Sequence, residues 1–308
     1  VSGSRYRLSD QVATFGETRW ANGAGPESLT HAFGLDYAPA DRWTTGLKFE
    51  TGTLSDPLAG DLKRHALWLS AAYREERTRV ASALEYRSED GNLAGSRRTW
   101  LMRNTFGHQA TRDWRALGKF NFSSSKASAG RFFDGDFVEM VAGAAYRPID
   151  NSRWNSLLKY TYFYTVPPPG QVSSANVALD FAQKSHVFNF DVIHDPRPWV
   201  SLGFKYGLRV GELKDNKVAG SWYSSRAHLV IGRLDFHWTR EWDAIVEIRR
   251  LAAREAGDAR DGVLLGVYRR VSDGVKAGVG YNFTDFSDDL TDLSYRSRGW
   301  FVNVLSTF

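Results

Sequence analysis

Histidine, serine and aspartate are the residue types in this chain that could form a nucleophile–base relay or hold a metal. The seven histidines stand at positions 31, 65, 108, 186, 194, 228 and 237, and there is no cysteine. Zinc sites need three or four N, S or O donors at close spacing. His186 and His194 lack a third ligand nearby, and no other pair is better placed. Neither a G-x-S-x-G elbow nor a phosphate-binding loop occurs. The pairing left open is His65 beside a serine on an adjacent strand, because a hydrolase relay requires Ser, His and an orienting group as neighbours. Asp285, Asp288, Asp289 and Asp292 crowd one segment, yet it lacks the glycine and terminal glutamate of a calcium-binding EF-hand loop. A solvated acidic loop is the plain reading, and a loose Ca²⁺ or lipopolysaccharide bridge the alternative. The expectation is no enzyme, no cofactor and no metal.

What must position any site is a set of alternating segments. Leu29, His31, Phe33, Leu35 and Tyr37 share one face, opposite Thr30, Ala32, Gly34 and Asp36. Trp43, Thr45, Leu47 and Phe49 oppose Thr44, Gly46, Lys48 and Glu50. Leu202, Phe204 and Tyr206 oppose Gly203 and Lys205, and Val275 to Phe283 repeats the pattern. Period-2 alternation marks strands. Bulky apolar residues against small or charged ones are the lipid-out, lumen-in pattern of a membrane barrel.

Composition agrees. Aromatics reach 14% of the 308 residues, while mean hydropathy is negative. No apolar run approaches the ~18 residues of a membrane helix. A barrel needs none, since only one side of each strand meets lipid. Formal net charge is +5, with basic residues scattered among acids, so no nucleic-acid surface is expected. No secretory leader is read in the sequence, and the expectation is one barrel domain over 1–308, either mature or the C-terminal module of a longer precursor.

Sixteen strands are expected, within a range of about 14–18. The first is placed at 8–18. Short turns such as Ala38–Arg42, Gln109–Asp113 and Thr239–Glu241 alternate with longer connections such as Leu54–Lys63, Ser88–Ser96, Val166–Gln183, Gly211–Ser221, Ala252–Arg260 and Asp285–Tyr295. Short periplasmic turns and long external loops characterise outer-membrane barrels. Aromatic rings gather at membrane interfaces. The interface set is Tyr37, Trp43, Tyr73, Trp114, Tyr146, Trp154, Trp238, Trp242, Tyr268 and Trp300, and Trp300 groups with Phe49, Tyr86 and Tyr206 nearer the long loops. Trp199 shares parity with Lys205 rather than Phe204, which a bulge would correct.

Inward parity selects Lys48, Arg79, Arg103, Arg115, Lys119, Lys159, Lys205, Arg209, Arg233, Arg249 and Lys276, together with Glu50, Glu85, Glu139, Asp235 and Glu247. The positive excess is mild. It gives either a slight anion preference or, more plainly, interleaved ion pairs that stiffen the wall.

The last strand places Trp300, Val302, Val304, Ser306 and Phe308 on one face. An apolar alternation ending in Phe308 resembles the signal read by the barrel-assembly machinery of Gram-negative outer membranes. Residues 145–162 and 278–290 resemble the C-terminal barrel regions of large proteobacterial surface or OmpA-type multidomain proteins. That resemblance implies an outer-membrane location and an anchoring or export role for a surface or periplasmic partner, among outer-membrane lipid and lipopolysaccharide. It supplies no catalytic residues. Strand number and charged lumen favour the alternative of a porin-like diffusion channel, and a barrel enzyme has no positive support.

Overall fold

The computed structural model describes all residues except 22–26, 57–59, 92–94, 128–135, 152, 166–181, 215–219, 256, 273, 285, 287, 289, 291–297 and 307–308. Among the described residues the protein is all-β, with an antiparallel up-and-down order and no helix. Among the described residues no helix is long and apolar enough to cross a membrane.

The described residues form seventeen strands: β1 (Ser2–Arg7), β2 (Val12–Ala21), β3 (Glu27–Ala40), β4 (Trp43–Asp56), β5 (Gly60–Arg74), β6 (Thr78–Gly91), β7 (Gly95–Gln109), β8 (Trp114–Ala127), β9 (Phe137–Tyr146), β10 (Trp154–Thr165), β11 (Ala182–Arg197), β12 (Val200–Lys214), β13 (Trp222–His237), β14 (Trp242–Ala253), β15 (Asp258–Ser272), β16 (Val275–Asn282) and β17 (Gly299–Ser306). The chain divides into two compact units. The first holds residues 1–108, 117–141 and 163–181; the second holds 109–116, 142–162 and 182–308.

In the first unit β1 to β7 pair in sequence order. The single strand expected at 8–18 is instead a hairpin: β1 pairs Arg7 with Ala13, and the chain turns between them. Ser9 makes that turn, its hydroxyl accepting from the amides of Gln11 and Val12. A serine that caps a turn this way competes with ladder pairing, so residues 8–11 cannot continue a strand.

In the second unit β11 to β17 pair consecutively in the same manner. The ladder is irregular between His194 and Arg197, next to the turn that carries Trp199.

Several connections expected to be long are shorter than their composition suggested. β4 and β5 pair out to Asp56 and Gly60, β6 and β7 to Gly91 and Gly95, and β14 and β15 to Ala253 and Asp258. In these stretches the alternation of bulky apolar residues fades while backbone pairing continues. Gly60 (φ 72°) and Gly95 (φ 73°) open their strands in the left-handed region that glycine enters without a Cβ penalty.

Candidate functional site

Register turns the sequence pattern into two chemically distinct faces. In the first unit one rung holds Trp43, Tyr73, Val80 and Phe106, the next but one Leu35, Leu47, Leu69, Leu84 and Met102, and then Phe33, Phe49, Leu67, Tyr86 and Trp100. Trp43 to Phe49 spans about 20 Å of strand at ~3.3 Å per residue. Most of these side chains are exposed, Phe33 to 61%. Beyond them His31, Thr51, His65, Ser88 and Arg98 end the apolar band. In the second unit Leu202, Leu234, Val246, Leu265, Tyr281 and Trp300 form one apolar rung, and Val200, Phe236, Ala244, Val267, Val279 and Val302 another.

The opposite face of each unit carries the charges, mostly in pairs. Register places Lys48, Arg79, Arg103, Lys205, Arg209, Arg233, Arg249 and Lys276 there, with Glu50, Glu85, Asp235 and Glu247. Arg115 and Lys159 alternate with the exposed Trp114 and Leu158 on β8 and β10. Lys48 Nζ lies 3.6 Å from Glu50 and 3.3 Å from the Trp68 ring centre. Arg87 meets Glu85 at 2.6 Å, Lys119 meets Glu139 at 2.8 Å, and Lys205 meets Asp191 at 3.8 Å. Arg233 clamps Asp235 with two bonds of 2.8 Å, and Arg249 pairs with Glu247. Glu89, only 1% exposed, lies between Arg64 and Arg97 and pairs with both.

The polar face of the first unit remains open. A cavity of about 880 Å³ lies beside the β1–β2 turn, lined by Arg5, Arg7, Asp10, Asp36 and Arg103 with small residues such as Ser70 and Ala83 between. Arg5 pairs with Asp36 at 2.8 Å and Arg7 with Asp10 at 3.0 Å.

On the polar face of the second unit, described residues from later in the chain lie over Gly207 and Gly262. They belong to or adjoin the segment expected as an acidic external loop. Thr284, Phe286 and Leu290 are buried. A Cβ on Gly207 would stand 3.0 Å from Leu290, and one on Gly262 would stand 2.3 Å from Thr284, so two glycines make room for this strap. Val187 and Leu229, both 0% exposed, and Ile231 complete a small core. Asp288 is exposed on the strap, whereas Asp285, Asp289 and Asp292 lie outside the described residues. Among the described residues no group of three or more His, Asp or Glu could hold a metal.

The aromatics are distributed as follows. Trp43 packs on Tyr73 at 5.0 Å, Trp114 on Tyr146 at 4.8 Å, and Trp154 stacks on His194 at 3.9 Å. Tyr37 and Trp242 are exposed, and Trp238 is 77% exposed. Trp300 meets Tyr281 edge-on at 5.2 Å. Tyr268 is a correction. It is 7% exposed and lies on the charged face, because Val263, Leu265 and Val267 take the apolar parity of β15. Its ring fills the space over Gly278, where a Cβ would stand 2.1 Å away, and Asn303 Nδ2 donates to its hydroxyl at 3.4 Å. Phe308, expected as an assembly signal, lies outside the described residues, as does most of the Val166–Gln183 loop.

Histidines on the apolar face or at its edge meet hydroxyls. His31 meets Thr18 at 3.0 Å, His65 meets Thr51 at 3.1 Å, and His228 meets Tyr206 at 3.0 Å. His65 therefore has a threonine, not a serine, as its hydroxyl partner. The histidine that does meet both a serine and a carboxylate is His237, with Ser201 and Asp243. No local motif marked that group, because the three residues come from three strands.

The fold has relatives among solved structures. The copper transporter OprC superposes with a TM-score of 0.53 at 8% identity, over 91% of this chain and 59% of that one. A bacterial polysaccharide outer membrane secretin matches at 0.43 and 11% identity, over 97% of this chain and 98% of that one. The siderophore receptor PiuA from Acinetobacter baumannii matches at 0.47 and 10% identity, over 96% of this chain and 58% of that one. The likeness to OprC is one of fold. No protein-family model matches the sequence. No curated protein matches it either.

Proposed function

We propose that this chain closes into a β-barrel in the outer membrane of a Gram-negative bacterium. There it anchors a larger surface assembly or conducts a partner through the membrane. The observation that carries this reading is the pairing of an exposed apolar face with a polar face whose charges are largely neutralised in place. Contiguous apolar surface of this extent marks an interface with protein or lipid, and the period-2 pattern repeated on strand after strand fits lipid. A charge facing hydrocarbon costs about 2–4 kcal/mol at mid-membrane, and the apolar rungs carry almost none. The strap of Thr284, Phe286 and Leu290 takes up space that a diffusion pore would leave to water. Outer-membrane lipid, lipopolysaccharide and the barrel-assembly machinery would be its surroundings and its route there. The C-terminal module of a multidomain surface protein remains the pattern for such an anchor.

A porin-like channel for small anions is the second reading, favoured by the cavity lined by Arg5, Arg7 and Arg103. Conductance of the purified protein in a planar bilayer separates the two. A closed or sparsely conducting barrel supports the anchor. Steady current with a reversal potential displaced toward the anion equilibrium supports the channel. A protein that stays folded and monodisperse without detergent or lipid defeats both.

A further inference from the structure

We propose that Ser201, His237 and Asp243 form a nucleophile–base–orienter relay, and that the charged face of the second unit hydrolyses carboxylic esters. Ser201 Oγ lies 3.4 Å from His237 Nε2. His237 Nδ1 lies 2.6 Å from Asp243 Oδ1. The two contacts use opposite ring nitrogens, which is the connectivity that a serine hydrolase requires. A carboxylate at Nδ1 selects the tautomer with its proton there and leaves Nε2 free to accept the serine proton.

Register holds the three in place. His237 and Asp243 are direct cross-strand partners on β13 and β14, and Ser201 faces the neighbouring position on β12. Lys276, from β16, pairs with the second oxygen of Asp243 and fixes the carboxylate. The imidazole is 36% exposed, so water and substrate reach it.

Beside the nucleophile is Arg233. Gly203 shares the face of Ser201, and the nearest atoms to a Cβ there would be those of the Arg233 stem, the first at 3.2 Å. Arg233 spends Nε and one terminal nitrogen on Asp235. Its other terminal nitrogen is the donor for the oxyanion.

The chemistry is closed with water as the sole co-reactant. Ser201 Oγ bonds to the ester carbonyl carbon as its proton moves to His237 Nε2. The carbon–oxygen bond to the alcohol breaks, and Nε2 returns the proton to the departing oxygen. Water, deprotonated by Nε2, then attacks the acyl-serine, releasing the acid and restoring the hydroxyl.

The test uses the whole chain folded in detergent, with a fluorophosphonate as covalent probe and p-nitrophenyl butyrate as substrate. The expected adduct maps by mass spectrometry to Ser201. Ser201→Ala abolishes labelling, and Asp243→Asn slows turnover by ~10²–10⁴-fold, as loss of an orienting carboxylate does elsewhere. An unlabelled wild-type protein, an adduct at another residue, or wild-type turnover by Ser201→Ala overturns the proposal. Because the wild-type adduct site decides by itself, a variant that fails to fold does not blunt the test.

Discussion

The first unit keeps its polar face open and binds it together with charge, whereas the second packs apolar side chains over part of the same kind of face. In the first, Glu89 lies between Arg64 and Arg97 and is held by both. In the second, Phe286 and Leu290 are buried together with Val187 and Leu229. Both solutions begin from the same alternation and both leave an exposed apolar belt behind. The difference lies in how far each unit can change. An ion-pair wall fails when one partner is removed, while a packed strap fails by degrees as volume is lost.

That contrast can be tested by unfolding in lipid or detergent with urea. The largest effect is expected at Glu89→Ala, which removes the buried carboxylate that Arg64 and Arg97 share and should cost about 3–5 kcal/mol. Replacing Arg64 and Arg97 by Met in the same background should recover much of that loss. An unchanged midpoint for Glu89→Ala would show that charge does not bind the first unit together.

Leu290→Ala should follow at about 2–5 kcal/mol by cavity creation. It should also raise conductance in a planar bilayer if the strap obstructs passage, and an unaltered current would deny it that part. Leu202→Arg, on the exposed apolar face, should cost about 2–4 kcal/mol and impair membrane assembly. If it is harmless, the apolar faces do not meet hydrocarbon.

The smallest effect is expected at Arg5→Ala. Its pair with Asp36 is largely exposed, and such pairs contribute about 0.2–1 kcal/mol. The informative readout there is ion selectivity: a shift away from anions would tie the cavity to conduction.

Chain pattern alone settled the all-β class and the side of each strand that carries bulk. Leu29, Phe33 and Leu35 were legible as one face of their strand, and Trp43, Leu47 and Phe49 as one face of the next, because side-chain direction in a strand depends only on parity. The charged set was legible for the same reason, from Lys48 through Lys276. Tyr268 was misread because an aromatic near a turn invites an interface role. Its even number, set against the odd-numbered apolar neighbours Leu265 and Val267, already placed it inward. The hairpin at residues 2–21 was hidden because Ser9 acts through its hydroxyl, which hydropathy does not register.

Only the tertiary structure decided which strands align with which residues opposite, and what the connections do. Ser201 and His237 are 36 positions apart in the chain, and no periodicity links them. Phe286 and Leu290 stand in an acid-rich segment whose composition reads as solvated, yet both are buried, Leu290 where Gly207 leaves room on a strand far away in sequence. Parity is a property of one strand and its own alternation. Register and docking are properties of pairs of segments, fixed by the free energy of contacts that the linear order of residues does not contain.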